Sequence, residues 1–257
     1  MDLVTATGIG AAGVVAGAVN AIAGGGSLLT FPVLLAAGLP SVSANVTNTV
    51  GIVPGTIGGS IGYRAELRGQ RRRVLRLGVP GVLGGLLGGA VLLITPTSVF
   101  DAVVPGLIAG ACFLLLAQPR LTSRIQSRRP GRTTPGGDRR PALWMGVLFV
   151  GVYAGYFGAA AGVMFLALFG LLLDDSLQRA NALKGVLAGV INAVAALLFA
   201  AFGPVEWAAA VALGLGTIVG GRVGAGIARR IPDRPLRLGV AFGGLVIAAL
   251  LAYRAAW

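Results

Sequence analysis

The sequence predicts an all-α, polytopic integral membrane protein built as two inverted repeats of about five helical elements each. Three observations carry this. The 257 residues are 56% hydrophobic and only 11% charged, with a mean hydropathy of +0.87, whereas soluble domains are about a quarter charged. Apolar runs recur along the whole chain, many near the ~20 residues that one membrane span requires. The basic residues are not spread out. They gather at Arg64–Arg76, at Arg120–Arg140 and at Arg229–Arg237, each block between apolar runs, as cytoplasmic loops do under the positive-inside rule.

Ten helical elements follow from the hydropathy pattern. The first five are Val4–Ile22, Ser27–Ala37, Ala44–Tyr63, Val74–Ile94 and Val99–Ala117. The second five are Ala142–Ala160, Gly162–Leu173, Ala180–Phe202, Trp207–Ala228 and Leu236–Tyr253. The second and seventh are too short to span. A dozen helical residues cover only ~18 Å against ~30 Å of hydrocarbon. Each follows a Gly/Ala-rich break, so they read as broken or re-entrant segments, which leaves about eight spanning helices. Irregular backbone at that depth survives only where protein or a wet cavity satisfies it.

The polar, basic stretch Gln118–Pro141, with Pro119, Pro130, Pro135 and Gly136-Gly137, separates a first transmembrane repeat (1–117) from a second (142–257). The halves repeat weakly. Ala16-Gly17 is followed by Ala23-Gly24, as Ala154-Gly155 is by Ala161-Gly162, and Ala44-Asn45 corresponds to Ala180-Asn181. With the arginine blocks inside, the third element runs inward and the eighth outward. Corresponding elements therefore run in opposite directions, an architecture frequent among secondary transporters. Met1-Asp2-Leu3 offers no basic region ahead of the first apolar run. That reads as a retained segment, with a multi-pass location in the inner (plasma) membrane.

Several functions are excluded by residue type. Net charge is +13, but its confinement to loops argues for the lipid bilayer as partner and against nucleic acid. The chain has no histidine and the single cysteine Cys112. That removes Ser-His and Cys-His nucleophiles, His-containing zinc sites and an imidazole relay. No carboxylate sits at the centre of an expected helix. No catalytic residue, metal site or cofactor is expected, and the chain is read as no enzyme. Gly8-Ile9-Gly10-Ala11-Ala12-Gly13 fits GxGxxG, yet no strand precedes it and no acid follows at the required distance, so it reads as a helix-packing face.

Two polar features remain inside the apolar runs. Gly24-Gly25-Gly26-Ser27 interrupts a helix rather than packing it. Ser27 can cap the helix that follows, and a helix start at membrane depth offers N–H donors and a positive dipole end to an anion. A plain tight turn is the competing reading. The matching break involves Gly162. Asn45, Thr47, Asn48 and Thr49 crowd the start of the third element, and Asn181 and Lys184, the sole lysine, lie early in the eighth. Such side chains either line a cavity or bond between helices, and Lys184 could instead snorkel to the surface. Together these residues form the expected site for a small anionic substrate.

Ala16-Gly17, Gly24-Gly25-Gly26-Ser27, Phe31-Pro32, Leu39-Pro40 and Ala44-Asn45 resemble the first signature of the TauE/SafE sulfite exporter family. Gly155, Gly162 and Arg179-Ala180-Asn181-Ala182-Leu183-Lys184 are similar to its second-half counterpart, although the second break lacks a triple glycine. The resemblance implies transport, usually outward, of small anions of oxidised sulfur such as sulfite or organosulfonates. The residues themselves leave other readings open: a carrier of another small solute or metal ion, or a non-transporting intramembrane enzyme or subunit. They also leave a homo-oligomer open.

Overall fold

The computed structural model describes residues 2–22, 25–61, 64–126, 141–173, 175–227 and 233–256. Within them the chain is helical throughout, with α1 (Leu3–Ile22), α2 (Ser27–Ala36), α3 (Ser41–Ile61), α4 (Arg64–Leu67), α5 (Arg71–Ile94), α6 (Thr97–Gln126), α7 (Pro141–Tyr156), α8 (Ala161–Leu172), α9 (Leu177–Phe202), α10 (Trp207–Ile227) and α11 (Asp233–Ala256). The ten expected elements are all present, and α4 is an added single turn. Among the described residues, α1, α5, α6 and α9 are long and apolar enough to cross a membrane on length and composition alone. The helices α3, α10 and α11 also have 21, 21 and 24 residues, enough for a ~30 Å span.

Two boundaries differ most from expectation. The helix α6 runs on to Gln126 with Pro119 inside it, so the first part of the expected linker is helical. The remainder of the linker, residues 127–140, lies outside the described residues, as do Arg229 and Arg230. The helix α7 ends at Tyr156, one turn earlier than expected, and the break occupies 157–160. Gly158 at φ +76° and Ala160 at φ +56° turn the chain there, and the Tyr153 hydroxyl donates to Ala159 O at 2.6 Å. Gly162 is therefore not part of the break. It is buried inside α8.

Glycine faces set the helix directions. A Cβ on Gly13 would meet Leu213 O at 2.6 Å and one on Gly17 would meet Thr217 O at 2.5 Å, so α1 and α10 run parallel in close contact. A Cβ on Gly84 would meet Leu148 O at 2.5 Å and one on Gly88 would meet Tyr156 N at 2.8 Å, which makes α5 and α7 parallel too. The helix α3 runs beside α10 through Gly51 with Leu213 and Gly55 with Thr217. In the same way α9 runs beside α5 through Ile191 with Gly81 and Leu198 with Gly89. Small residues let these backbones approach, the favoured mode of helix association in lipid.

The contacts pair up under exchange of the two halves. α1 on α10 mirrors α7 on α5, α3 on α10 mirrors α9 on α5, and α2 on α11 mirrors α8 on α6. α3 on α9 and α6 on α11 map onto themselves. The start of α3 meets the residues just after α9: Ser43 Oγ donates to Pro204 O at 2.7 Å, and Glu206 N–H donates to Thr47 Oγ1 at 2.9 Å. α3 and α9 are thus antiparallel, as an inverted repeat requires. Each half contributes helices to both sides of the bundle, so the repeats interlock. α1 and α3 start at the same end, which makes α1–α2 a re-entrant hairpin; α7–α8 is its inverted counterpart.

This arrangement brings the starts of α5, α7, α9 and α11 and the end of α6 to one end. From the three arginine blocks, Arg71, Arg72, Arg73 and Arg76 in α5, Arg120 and Arg124 in α6, and Arg234 and Arg237 in α11 belong to segments at that end. Here the halves are latched. Arg73 pairs with Asp175 at 2.6 Å, Arg179 pairs with Asp175 at 2.9 Å, and Gln70 Nε2 donates to Arg179 O at 3.1 Å. Burial raises the Asp175 carboxyl pKa, but hydrogen bonds from Arg73, Ser176 N–H and Arg179 outweigh it and hold the group below the usual carboxylate range.

Candidate functional site

The first break is held by a residue that sequence reasoning did not single out. Asn20, in the last turn of α1, accepts a hydrogen bond from Gly26 N–H at 3.1 Å. Gly26 lies so close to α1 that a Cβ there would sit 2.5 Å from Ala16 O. Ser27 does not cap α2. The residue before it, Gly26, has helical angles, and no side chain caps this start. The amides of Leu28, Leu29 and Thr30 donate to Gly25 O and Gly26 O at 3.0–3.3 Å, so most first-turn donors are turned into the break itself. Gly24 lies outside the described residues. Gly25 is buried, and a methyl there would meet the Leu115 Cδ atoms at 3.4 Å, an ordinary contact.

Thr30 ties the break to α3. Its hydroxyl lies 3.3 Å from Gly26 O and donates to Asn48 Oδ1. Asn48 is buried, and among the described residues its Nδ2 has no partner, which leaves an amide donor next to the glycine turn. Asn20, Gly26, Thr30 and Asn48 are thus one hydrogen-bonded group drawn from α1, the break, α2 and α3. Thr30 carried only a faint signal in the sequence, one hydroxyl besides Ser27 in an apolar decamer, and Asn20 an equally faint one, an amide six residues before Gly26.

The other expected residues divide. Asn45 donates through Nδ2 to Tyr156 O at 2.8 Å, reaching the end of α7. Thr47 is satisfied by Glu206 N–H, and Thr49 donates to Asn45 O at 3.0 Å within its own helix. These lie at the end away from the arginine segments. Asn181 and Lys184 are the fifth and eighth residues of α9, at the arginine end. From Asn181 to the end of α9 is roughly 30 Å of helix at 1.5 Å per residue. The expected residues therefore do not converge on one point. They form two groups toward opposite ends, related by the internal symmetry: Asn45 and Asn181 are each the fifth residue of their helix, Asn48 and Lys184 each the eighth. Lys184 is 8% exposed and, among the described residues, has neither an ion pair nor a hydrogen bond. It sits one turn deeper than its sequence position suggested, because α9 begins at Leu177 under a Ser176 cap. Among the described residues no cluster of metal-ligating side chains occurs.

An inverted repeat with a broken, re-entrant hairpin in each half is the architecture of a polytopic membrane transporter. The family model described as sulfite exporter TauE/SafE matches residues 9–251, and the chain belongs to that family. It is 29% identical over 248 residues to the probable membrane transporter protein YfcA of Escherichia coli (strain K12), covering 93% of this chain and 86% of the relative. It is 28% identical over 210 residues to the probable membrane transporter protein ORF9 of a Sinorhizobium species, covering 82% and 78%. A probable membrane transporter protein of Haemophilus influenzae is 26% identical over 245 residues, covering 95% and 93%. No solved structure matches the chain.

Proposed function

We propose that this transporter carries small anions of oxidised sulfur, sulfite or organosulfonates, outward across the inner membrane. The family match over residues 9–251 carries the reading. The chemistry of the first break supports it: an amide donor at Asn48 stands beside a glycine turn at which a helix begins. Lys184 adds one full positive charge on the arginine side, suited to drawing an anion from the cytoplasm toward that break. No carboxylate switch is needed. An inside-negative potential drives each negative charge outward by ~2.3 kcal/mol per 100 mV.

Efflux of labelled sulfite, sulfoacetate and taurine from proteoliposomes tests this. A charge-assisted hydrogen bond contributes roughly 1.5–3 kcal/mol, so Lys184→Ala should raise the half-saturating anion concentration about ten- to a hundredfold. Lys184→Arg should be partly tolerated if charge alone matters. An unchanged half-saturation in Lys184→Ala would remove this lysine from the pathway, and absence of efflux for all three anions would refute the substrate class.

A further inference from the structure

One group at the start of α3 leaves oxygens, rather than amide nitrogens, enclosed without partners. Asn45 is 1% exposed, and its Nδ2 donates to Tyr156 O at 2.8 Å. That bond fixes the amide, because the flipped group would set its oxygen against a carbonyl oxygen. Asn45 Oδ1 is left enclosed and without a partner. One turn earlier on the same face of α3, Ser41 Oγ is also enclosed and unpartnered. Their neighbours on α3 are satisfied: Ser43 by Pro204 O, Thr47 by Glu206 N–H, Thr49 by Asn45 O. Of the four enclosed, unpartnered side-chain atoms among the described residues, two are this pair.

The end of α7 adds further acceptors beside these two oxygens. Tyr156 is the last residue of α7, and the end of a helix presents unpaired carbonyls and the negative end of its dipole. An amide oxygen, a hydroxyl oxygen and a helix carbonyl end attract a cation. Neither Asn45 nor Ser41 titrates, so the pair cannot hold a proton as a carboxylate would. Neither offers the carboxylates by which calcium or magnesium sites balance a double charge. Half-helix carbonyl ends at membrane depth are where monovalent cations are coordinated in broken-helix carriers.

We propose that Ser41 Oγ, Asn45 Oδ1 and the carbonyl end of α7 form a binding site for a partly dehydrated sodium ion, entering from the end away from the arginine segments. Its role as the coupling ion rests on the transporter reading; its binding does not. Inward sodium movement and outward anion movement both carry positive charge inward, so one membrane potential drives the two together.

The test uses the purified full-length protein without any sulfur anion. Thermal unfolding is followed as sodium chloride replaces choline chloride at constant ionic strength, with potassium chloride as a third series. Sodium should give a saturable rise in Tm that potassium and choline do not. Asn45→Ala should raise the half-saturating sodium concentration at least tenfold, and Ser41→Ala severalfold. Asn45→Asp, which keeps the oxygen and adds charge, should lower it. Equal behaviour of the three salts, as a bridging water alone would produce, overturns the proposal. So does an unchanged sodium midpoint in Ser41→Ala and Asn45→Asp, the two variants that keep a polar or small group there if Asn45→Ala does not fold. Loss of sulfite transport evidence with a persisting sodium shift refutes the anion assignment alone.

Discussion

Replacing Gly88 by alanine tests the helix contact on which the fold rests. A Cβ at this position would clash with Val152 O and lie 2.8 Å from Tyr156 N. A carbon and an oxygen need about 3.3 Å or more, so α5 and α7 would have to part by more than an ångström along a face that also carries Gly84 and Gly85. Overpacking of this kind costs about 1–3 kcal/mol. At ~2–4 °C per kcal/mol for a chain of this size class, the apparent Tm in detergent should fall by roughly 2–12 °C. Gly78, on the same helix, has nothing within 4 Å of its added Cβ. Gly78→Ala should be neutral or gain up to ~1 kcal/mol from helix propensity. The assay is a melting curve of the three proteins purified side by side. Equal Tm values for Gly88→Ala and Gly78→Ala would refute the close α5–α7 approach.

Other outcomes follow from the same geometry. Gly26→Ala should abolish transport with membrane insertion intact, because its methyl collides with Ala16 O, whereas Gly25→Ala should be tolerated and Gly25→Leu should fail against Leu115; equal transport by Gly26→Ala and wild type would discard the break as part of the pathway. Asp175→Asn should cost about 1 kcal/mol or less at pH 7, discounted for the partial exposure of both arginines. Because the folded Asp175 pKa is lowered, its contribution is present above the usual carboxylate value of about 3.9 and lost as pH falls through the folded one. The gap between the two melting curves should therefore close in acid, and a gap that widens below pH 4 would contradict the latch. Single cysteines placed in the three arginine segments of a Cys112→Ala background should react with an impermeant reagent only in opened cells; labelling of the central segment from outside would overturn the assigned orientation.

Most of the fold was legible because hydropathy and charge act on whole segments. Apolar runs gave the helices to within four residues, the end of α6 aside, and arginine blocks gave the common end that the contacts of α5, α7 and α9 display. What escaped was local. The α7 end at Tyr156 depends on a left-handed turn at Gly158 and Ala160 and on the Tyr153 hydroxyl, and Ala160 carries no sequence sign of such a conformation. The cap expected of Ser27 is absent; instead the chain folds back on α1, and the Asn20 side chain accepts from the Gly26 N–H within the break. The site residues were legible as polar side chains in apolar runs. Their division between two ends was not, because sequence order cannot show that the antiparallel pairing of α3 and α9 sends equivalent residues apart.

That division bears on how the two ends of an inverted repeat come to differ. A perfectly symmetric chain would look the same from either end and would favour neither direction of transport. Here equivalent positions hold different chemistry. The eighth residue of α3 is the neutral Asn48, bonded to Thr30, while the eighth residue of α9 is the cationic Lys184. The fifth residue of α3, Asn45, bonds to the opposing helix end, while among the described residues Asn181 makes no such bond. The loop before α9 closes through two arginines on one aspartate. The corresponding end of α3 closes through neutral hydrogen bonds from Ser43 and to Thr47. Neutral hydrogen bonds and charged pairs differ in strength and in their response to salt, so the two ends need not open equally easily. The asymmetry of the two ends is then written into a few side chains on a backbone that is itself nearly symmetric, and substitutions at those positions should alter the ease with which each end opens before they alter the fold.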